Sequence, residues 1–125
     1  VTERNTRQRE AIRSALAEAG RPLSPLEVHA AAQASVSRLG MATVYRALAR
    51  LVAEGELVQV DLPGAPPRYE VAGLSHHHHF HCRRCGRVFD LPGCPGNFDK
   101  LTPRGFKLEA HEVVLYGRCA ACSGA

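Results

Sequence analysis

Between Arg7 and Ala19 the apolar positions recur three and four residues apart. Ile12, Ala15, Leu16 and Ala19 fall on one helical face, while Arg9, Glu10 and Arg13 lie largely off it. This spacing predicts an amphipathic helix over 7–19, closed by Gly20. A second helix is predicted to open at Ser24: a serine N-cap, Pro25 at the first helical position, and Glu27 placed to complete a capping box. "VSRLG" reads as a turn. A third helix is predicted from Met41, with Val44, Leu48, Leu51 and Val52 as its buried stripe and Gly55 as its stop. Another face of that helix carries Tyr45, Arg46 and Arg50. The period then shortens to two in "LVQVDL" and "RYEVA", which flank the Pro- and Gly-rich "PGAPP". Three helices followed by a hairpin is the element order of a winged helix-turn-helix, although the order alone argues only weakly for DNA binding.

The chain changes character near "VAGLS", which predicts two domains, 1–71 and 76–125. In the second, "HFHCRRCGRVFDL" and "FKLEAHEVVLYGRC" alternate like strands. "PGCPGNFDKLTPRG" lies between them, with room for about one helical turn at most. The fold class expected is α+β: a winged helix-turn-helix followed by a small α/β domain. A domain of so few residues wants a staple such as a metal or a dimer partner.

Charge adds little. The net charge of the 125 residues is +4. The basic residues of 1–60 are all arginine, which suits forked contacts to phosphate or guanine. No apolar run approaches the roughly 18 residues of a membrane helix, and "VTERNTRQRE" has no signal-peptide core. A cytoplasmic protein with no membrane partner is expected.

Cysteine changes the picture. Cys82-x-x-Cys85 and Cys119-x-x-Cys122 are two knuckles that can present four sulfurs to one tetrahedral zinc ion. Two such pairs bracketing a strand-rich segment favour structural Zn²⁺ over a redox pair or a disulfide framework. Cys94, outside both pairs, is most simply a free thiol, with ligation as the alternative. The run "HHHH" leads directly into the first knuckle. On a strand, His77, His79 and His81 point one way and His76 and His78 the other, so each face offers a separate metal site. Asp61, Glu70 and Asp90 are carboxylates available to one face, and His111 can approach the other. A polar, solvated strand is the bland alternative. A zinc hydrolase would need an open metal position and a positioned base. Glu70 is the candidate, but nothing resembles H-E-x-x-H and the winged helix would go unused.

Taken together, "TRQR", "MATVYRALARLVAEGELV", "RYE", "HHHHFHCRRCGRV", "HEVVLYGRC" and "CAAC" resemble the ferric uptake regulator family of bacterial metal-responsive repressors, in family order over almost the whole chain. The resemblance implies a non-enzymatic, metal-dependent transcriptional repressor that controls metal uptake and homeostasis genes. It implies an N-terminal domain that binds a pseudo-palindromic double-stranded DNA operator and a C-terminal domain that forms a homodimer. On matching positions, structural zinc would take Cys82, Cys85, Cys119 and Cys122, and a regulatory hinge metal would take Glu70, His77 and His79, with Asp90. A third site maps to His76, His78 and His111 plus one carboxylate, for which Asp99 is the candidate and Cys94 the alternative. For DNA, Tyr45, Arg46 and Arg50 would enter the major groove, and Arg4 and Arg7 would reach phosphate or the minor groove. Iron- and peroxide-sensing members usually add a histidine just before the second helix. Here that stretch is "GRPLS", and His29 looks displaced within the helix. Asp61 stands where zinc sensors often place a hinge carboxylate. Zn²⁺ is therefore favoured over Fe²⁺ or Mn²⁺ as the regulatory metal, and an iron- or manganese-loaded peroxide-sensing repressor is the alternative. The segment around Cys94 is shorter than the helix typical of the family.

Overall fold

The computed structural model describes residues 3–124. The chain separates into two compact units, Val1–Leu74 and Ser75–Ala125. It is mixed α+β, and no helix among the described residues is long and apolar enough to cross a membrane.

The first unit holds α1 (Glu3–Ala19), α2 (Pro25–Ala32), α3 (Met41–Ala53), β1 (Leu57–Val60) and β2 (Arg68–Val71). α1 begins four residues before the apolar periodicity does. Its first turn, Glu3–Thr6, is exposed, so burial gave no signal there. The start of α2 follows the capping box: Ser24 Oγ accepts from the Glu27 amide at 3.2 Å, and Glu27 Oε1 accepts from the Ser24 amide at 3.0 Å. Arg21 braces Glu27 at 2.9 Å. Those bonds hold the Glu27 carboxyl below its ordinary pKa against the opposing effect of burial, the larger single influence. α3 buries Val44, Ala47, Leu48 and Leu51, with Val52 half-buried beside them. These side chains meet Ile12 and Leu16 of α1, Val28 and Ala32 of α2, and Leu39 in one core. β1 and β2 pair antiparallel, Leu57 opposite Val71 and Val60 opposite Arg68. Leu23 extends the hairpin by one bridge, exchanging two 2.9 Å backbone bonds with Tyr69. Arg9 and Arg13 of α1 clasp Glu54 and Glu56, just beyond α3.

The second unit holds β3 (His77–Cys82), β4 (Val88–Pro92), a 3₁₀ turn (Phe98–Leu101) and β5 (Val114–Gly117). The sheet order is β4-β3-β5. β3 pairs antiparallel with β4, His79 opposite Asp90, and parallel with β5, His79 opposite Val114. The strand expected over 106–119 is realised only at 114–117. Residues 106–112 form no strand, because the chain must return along β3 before a parallel ladder can start; that ladder opens where Val113 O accepts from the His79 amide at 3.2 Å. Gly117 allows a close approach: a Cβ there would stand 3.2 Å from Phe80 Cζ, and the ring would have to shift by a few tenths of an ångström.

The buried apolar residues of the second unit are Cys82, Val88 and Cys119 among those described; the remaining buried side chains of this class lie in the first unit. The first unit thus has an ordinary core and the second does not.

Because every α-helix among the described residues belongs to the first unit, helical circular dichroism reports that unit. Leu48→Ala, at a fully buried position, should cost about 2–5 kcal/mol in urea unfolding followed by this signal. Ser24→Ala should cost about 1 kcal/mol. A loss under about 0.5 kcal/mol for Leu48→Ala would contradict the core assignment.

Candidate metal centres and nucleic-acid face

The two knuckles bring their sulfurs together. Cys82 closes β3, and the chain turns back at once, with the Gly86 amide donating to Cys82 O at 3.0 Å. The second knuckle follows β5, with the Cys122 amide on Cys119 O at 3.0 Å. Since β3 and β5 are parallel neighbours, both knuckles emerge at the same end of the sheet. All four sulfurs lie within 4.8 Å of one another, and Cys85 Sγ to Cys119 Sγ is 3.8 Å. Four thiolates about 2.3 Å from a tetrahedral ion would be about 3.8 Å apart, so the quartet fits Zn²⁺. The amides of Cys85 and Cys119 donate to Cys82 Sγ at 3.4 and 3.3 Å. These bonds stabilise the thiolate and bring its pKa down to about 5. Burial, with the neighbouring sulfurs, pushes Cys122 up to about 12. Repulsion among clustered anions is what a dication relieves.

β3 sorts the histidines by its alternation. On one face His77 and His79 both turn to the neighbouring strand, each Nε2 3.4 Å from Asp90 Oδ1. His77 Nδ1 donates to Ser75 O at 2.8 Å, which leaves Nε2 as the nitrogen with a lone pair. His81 shares their parity but packs against the Tyr116 ring, 5.8 Å between centroids. Of the other predicted hinge carboxylates, Glu70 is buried on β2 of the first unit, and Asp61 is exposed there and accepts from Gln59 Nε2 at 2.9 Å.

On the opposite face His76, His78 and His111 converge, and Cys94 joins them; their ligand atoms all lie within 4.8 Å of one another. Asp99 is not in this group. It lies in the 3₁₀ turn, its amide donating to Asn97 Oδ1 at 2.9 Å. Cys94 Sγ, and not the Asp99 carboxylate, is the atom that stands with these three histidines. His78 is buried, and burial above all lowers its pKa, so the ring is neutral and able to ligate near pH 7.

In the first unit, Tyr45, Arg46 and Arg50 are exposed on α3. Arg46 and Arg50 line a hollow of about 340 Å³ with Asn5, Arg9 and Thr43. Arg4 and Arg7 line another of about 440 Å³ with Gln8 and residues 35–38. Arg38, which sequence reasoning missed, completes that second basic hollow from a left-handed backbone, φ 63°. An arginine within the predicted turn "VSRLG" is the available signal. His29 is not near the cysteines or the histidine run in sequence; its Nε2 lies 2.6 Å from Leu39 O, tying α2 to the segment before α3.

A profile of the ferric uptake regulator family matches residues 2–116. A ferric uptake regulation protein of Bordetella parapertussis is 35% identical over 105 residues, spanning 82% of this chain and 76% of its own length. The Helicobacter pylori ferric uptake regulator, described as having three functional metal binding sites, superposes with a TM-score of 0.72 at 27% identity, covering 93% of this chain and 79% of that one. A zinc-bound manganese uptake regulator gives 0.77 at 25% identity, covering 95% and 89%.

Without a bound cation Cys122 carries a proton at neutral pH, and zinc must displace it. Binding should therefore release at least about one proton, and apparent affinity should fall about tenfold for each pH unit lost per proton released. Calorimetry in buffers of different ionisation heat reads this directly. No proton release would contradict the quartet as the zinc site.

Proposed function

Because the chain belongs to the ferric uptake regulator family, a family of regulators rather than enzymes, we propose that it is a metal-dependent transcriptional repressor whose DNA affinity is set by a divalent metal, Zn²⁺ in preference to Fe²⁺ or Mn²⁺. The observation that carries this reading is the sorting of one histidine run into two donor sets on opposite faces of β3, beside a separate sulfur quartet. A solvated strand has no need of that arrangement.

In this proposal Cys82, Cys85, Cys119 and Cys122 hold a structural zinc ion. His77, His79 and Asp90 provide the second unit's share of the regulatory site, and the family pattern adds Glu70 and Asp61 from the first. The regulatory ion would restrict how the first unit is held and so select the DNA-competent arrangement. Operator DNA must then tighten metal binding by the same factor. His76, His78 and His111 form a third site.

α1 to α3 with the β1–β2 hairpin act as a winged helix-turn-helix. The exposed Tyr45, Arg46 and Arg50 give α3 a face for the major groove. The hollow of Arg4, Arg7 and Arg38 has the charge and donor geometry for backbone phosphate. A homodimer would present two such faces to a pseudo-palindromic operator. Its support is the open edge strand β5, where Leu115 and Tyr116 are exposed.

Arg46→Ala should weaken operator binding by about 1–3 kcal/mol without changing metal content; unchanged binding across several salt concentrations would exclude α3 as the reading helix. His77→Ala or His79→Ala should raise the Zn²⁺ needed for operator binding by about tenfold or more. Metal-free DNA affinity should be unchanged. Wild-type metal titrations in both variants would leave the run without a regulatory role.

A further inference from the structure

Cys94 belongs to no knuckle and lies in a segment of several glycines and prolines, yet the chain brings its sulfur to the histidines. Its Sγ is 3.1 Å from His111 Nε2, and the same nitrogen is 3.3 Å from His76 Nε2. Phe98, four residues on, packs its ring against His111 at 4.5 Å between centroids, which seats the Cys94 segment across that imidazole. A single nitrogen can share a proton with one of these neighbours but not both. Three donor atoms facing one point suit a cation better. Nitrogens about 2.0–2.1 Å from a tetrahedral Zn²⁺ would stand about 3.3 Å apart, matching the His76–His111 separation.

An independent observation concerns His78. It is only 3% exposed, and its Nε2 meets no hydrogen-bond partner. Its Nδ1 accepts from the Val113 amide at 3.1 Å, so the ring's proton sits on Nε2, buried and unshared. An unsatisfied buried polar group is unfavourable. A cation at Nε2 would be the partner that nitrogen lacks; the ring's proton then moves to Nδ1, and the Val113 amide must turn to another acceptor.

We propose that Cys94 is the fourth ligand of a three-histidine, one-thiolate metal centre with His76, His78 and His111. A carboxylate there would suit harder ions as well. A thiolate narrows the site to borderline and soft cations, Zn²⁺ or Co²⁺ rather than Mn²⁺ or Fe²⁺. The exposed Cys94 thiol is then reactive only while the centre is empty. This inference deepens the metal-regulator reading by naming the ligand and ion class of its third site.

The test uses the full chain with its sulfur quartet already loaded with zinc. Cys94 alkylation by iodoacetamide is followed by peptide mass spectrometry with and without added Zn²⁺. At Zn²⁺ about a hundred times the dissociation constant, only about a hundredth of the thiol is free, so alkylation should slow by about a hundredfold. Mn²⁺ should give little protection, and His111→Ala should lose it. Co²⁺ should produce a thiolate-to-metal charge-transfer band in the parent that Cys94→Ser lacks. Equal alkylation rates with and without Zn²⁺, or protection that persists in His111→Ala, would overturn the proposal. So would cobalt binding without a Cys94-dependent thiolate band, and in that case a third site of three histidines would still stand. Zinc-dependent operator binding through His77 and His79 is read separately and can survive any of these failures.

Discussion

The second unit depends on four sulfur atoms meeting at one point. Among its described residues, Cys82 and Cys119 are themselves two of the three buried apolar ones, with Val88 the third. Three short strands, one of them of six residues, cannot supply the burial that offsets chain entropy in a segment of about fifty residues. A cation bound by the quartet would close a loop from Cys82 to Cys122 and concentrate its binding energy on the native arrangement alone. The first unit has no such need, because α1, α2 and α3 share an apolar core reaching from Ile12 to Leu51.

That closure also organises the histidines. Cys82 is the last residue of β3, so anchoring it fixes the register of His76–His81 upstream. Pleating then turns His77 and His79 toward Asp90, and His76 and His78 toward His111. A slip of one residue would exchange the two sets. The parallel pairing of β3 with β5 matters for the same reason: it brings Cys119 to Cys82 at one end of the strands, while the segment before β5 brings His111 to His76 at the other.

Local chemistry was legible in the sequence wherever a short pattern determines it. The Ser24–Glu27 capping box, the α3 stripe of Val44, Leu48 and Leu51, and the alternation of the histidines all involve residues within a few positions of one another. The four cysteines were legible because the C-x-x-C knuckle is itself local, even though the pairs are far apart. Less visible were features set by tertiary placement. The first turn of α1 is solvated and carries no periodic signal. Residues 106–112 alternate like a strand but join no ladder. Ligand type alone favours Asp99 over Cys94, yet the path of the segment after β4, with Phe98 against His111, brings the sulfur there. Arg38 was missed because its place beside Arg4 and Arg7 depends on how α1 packs near the turn after α2.

Hydrogen exchange with peptide-level mass spectrometry, on the full chain before and after zinc is removed under reducing conditions, tests the central claim most directly. Removal should collapse amide protection across 77–92 and 114–117, while α1, α2 and α3 keep theirs. Protection of 77–92 that survives complete removal of the metal would mean that the second unit stands without an ion on its sulfur quartet, against the dependence argued above.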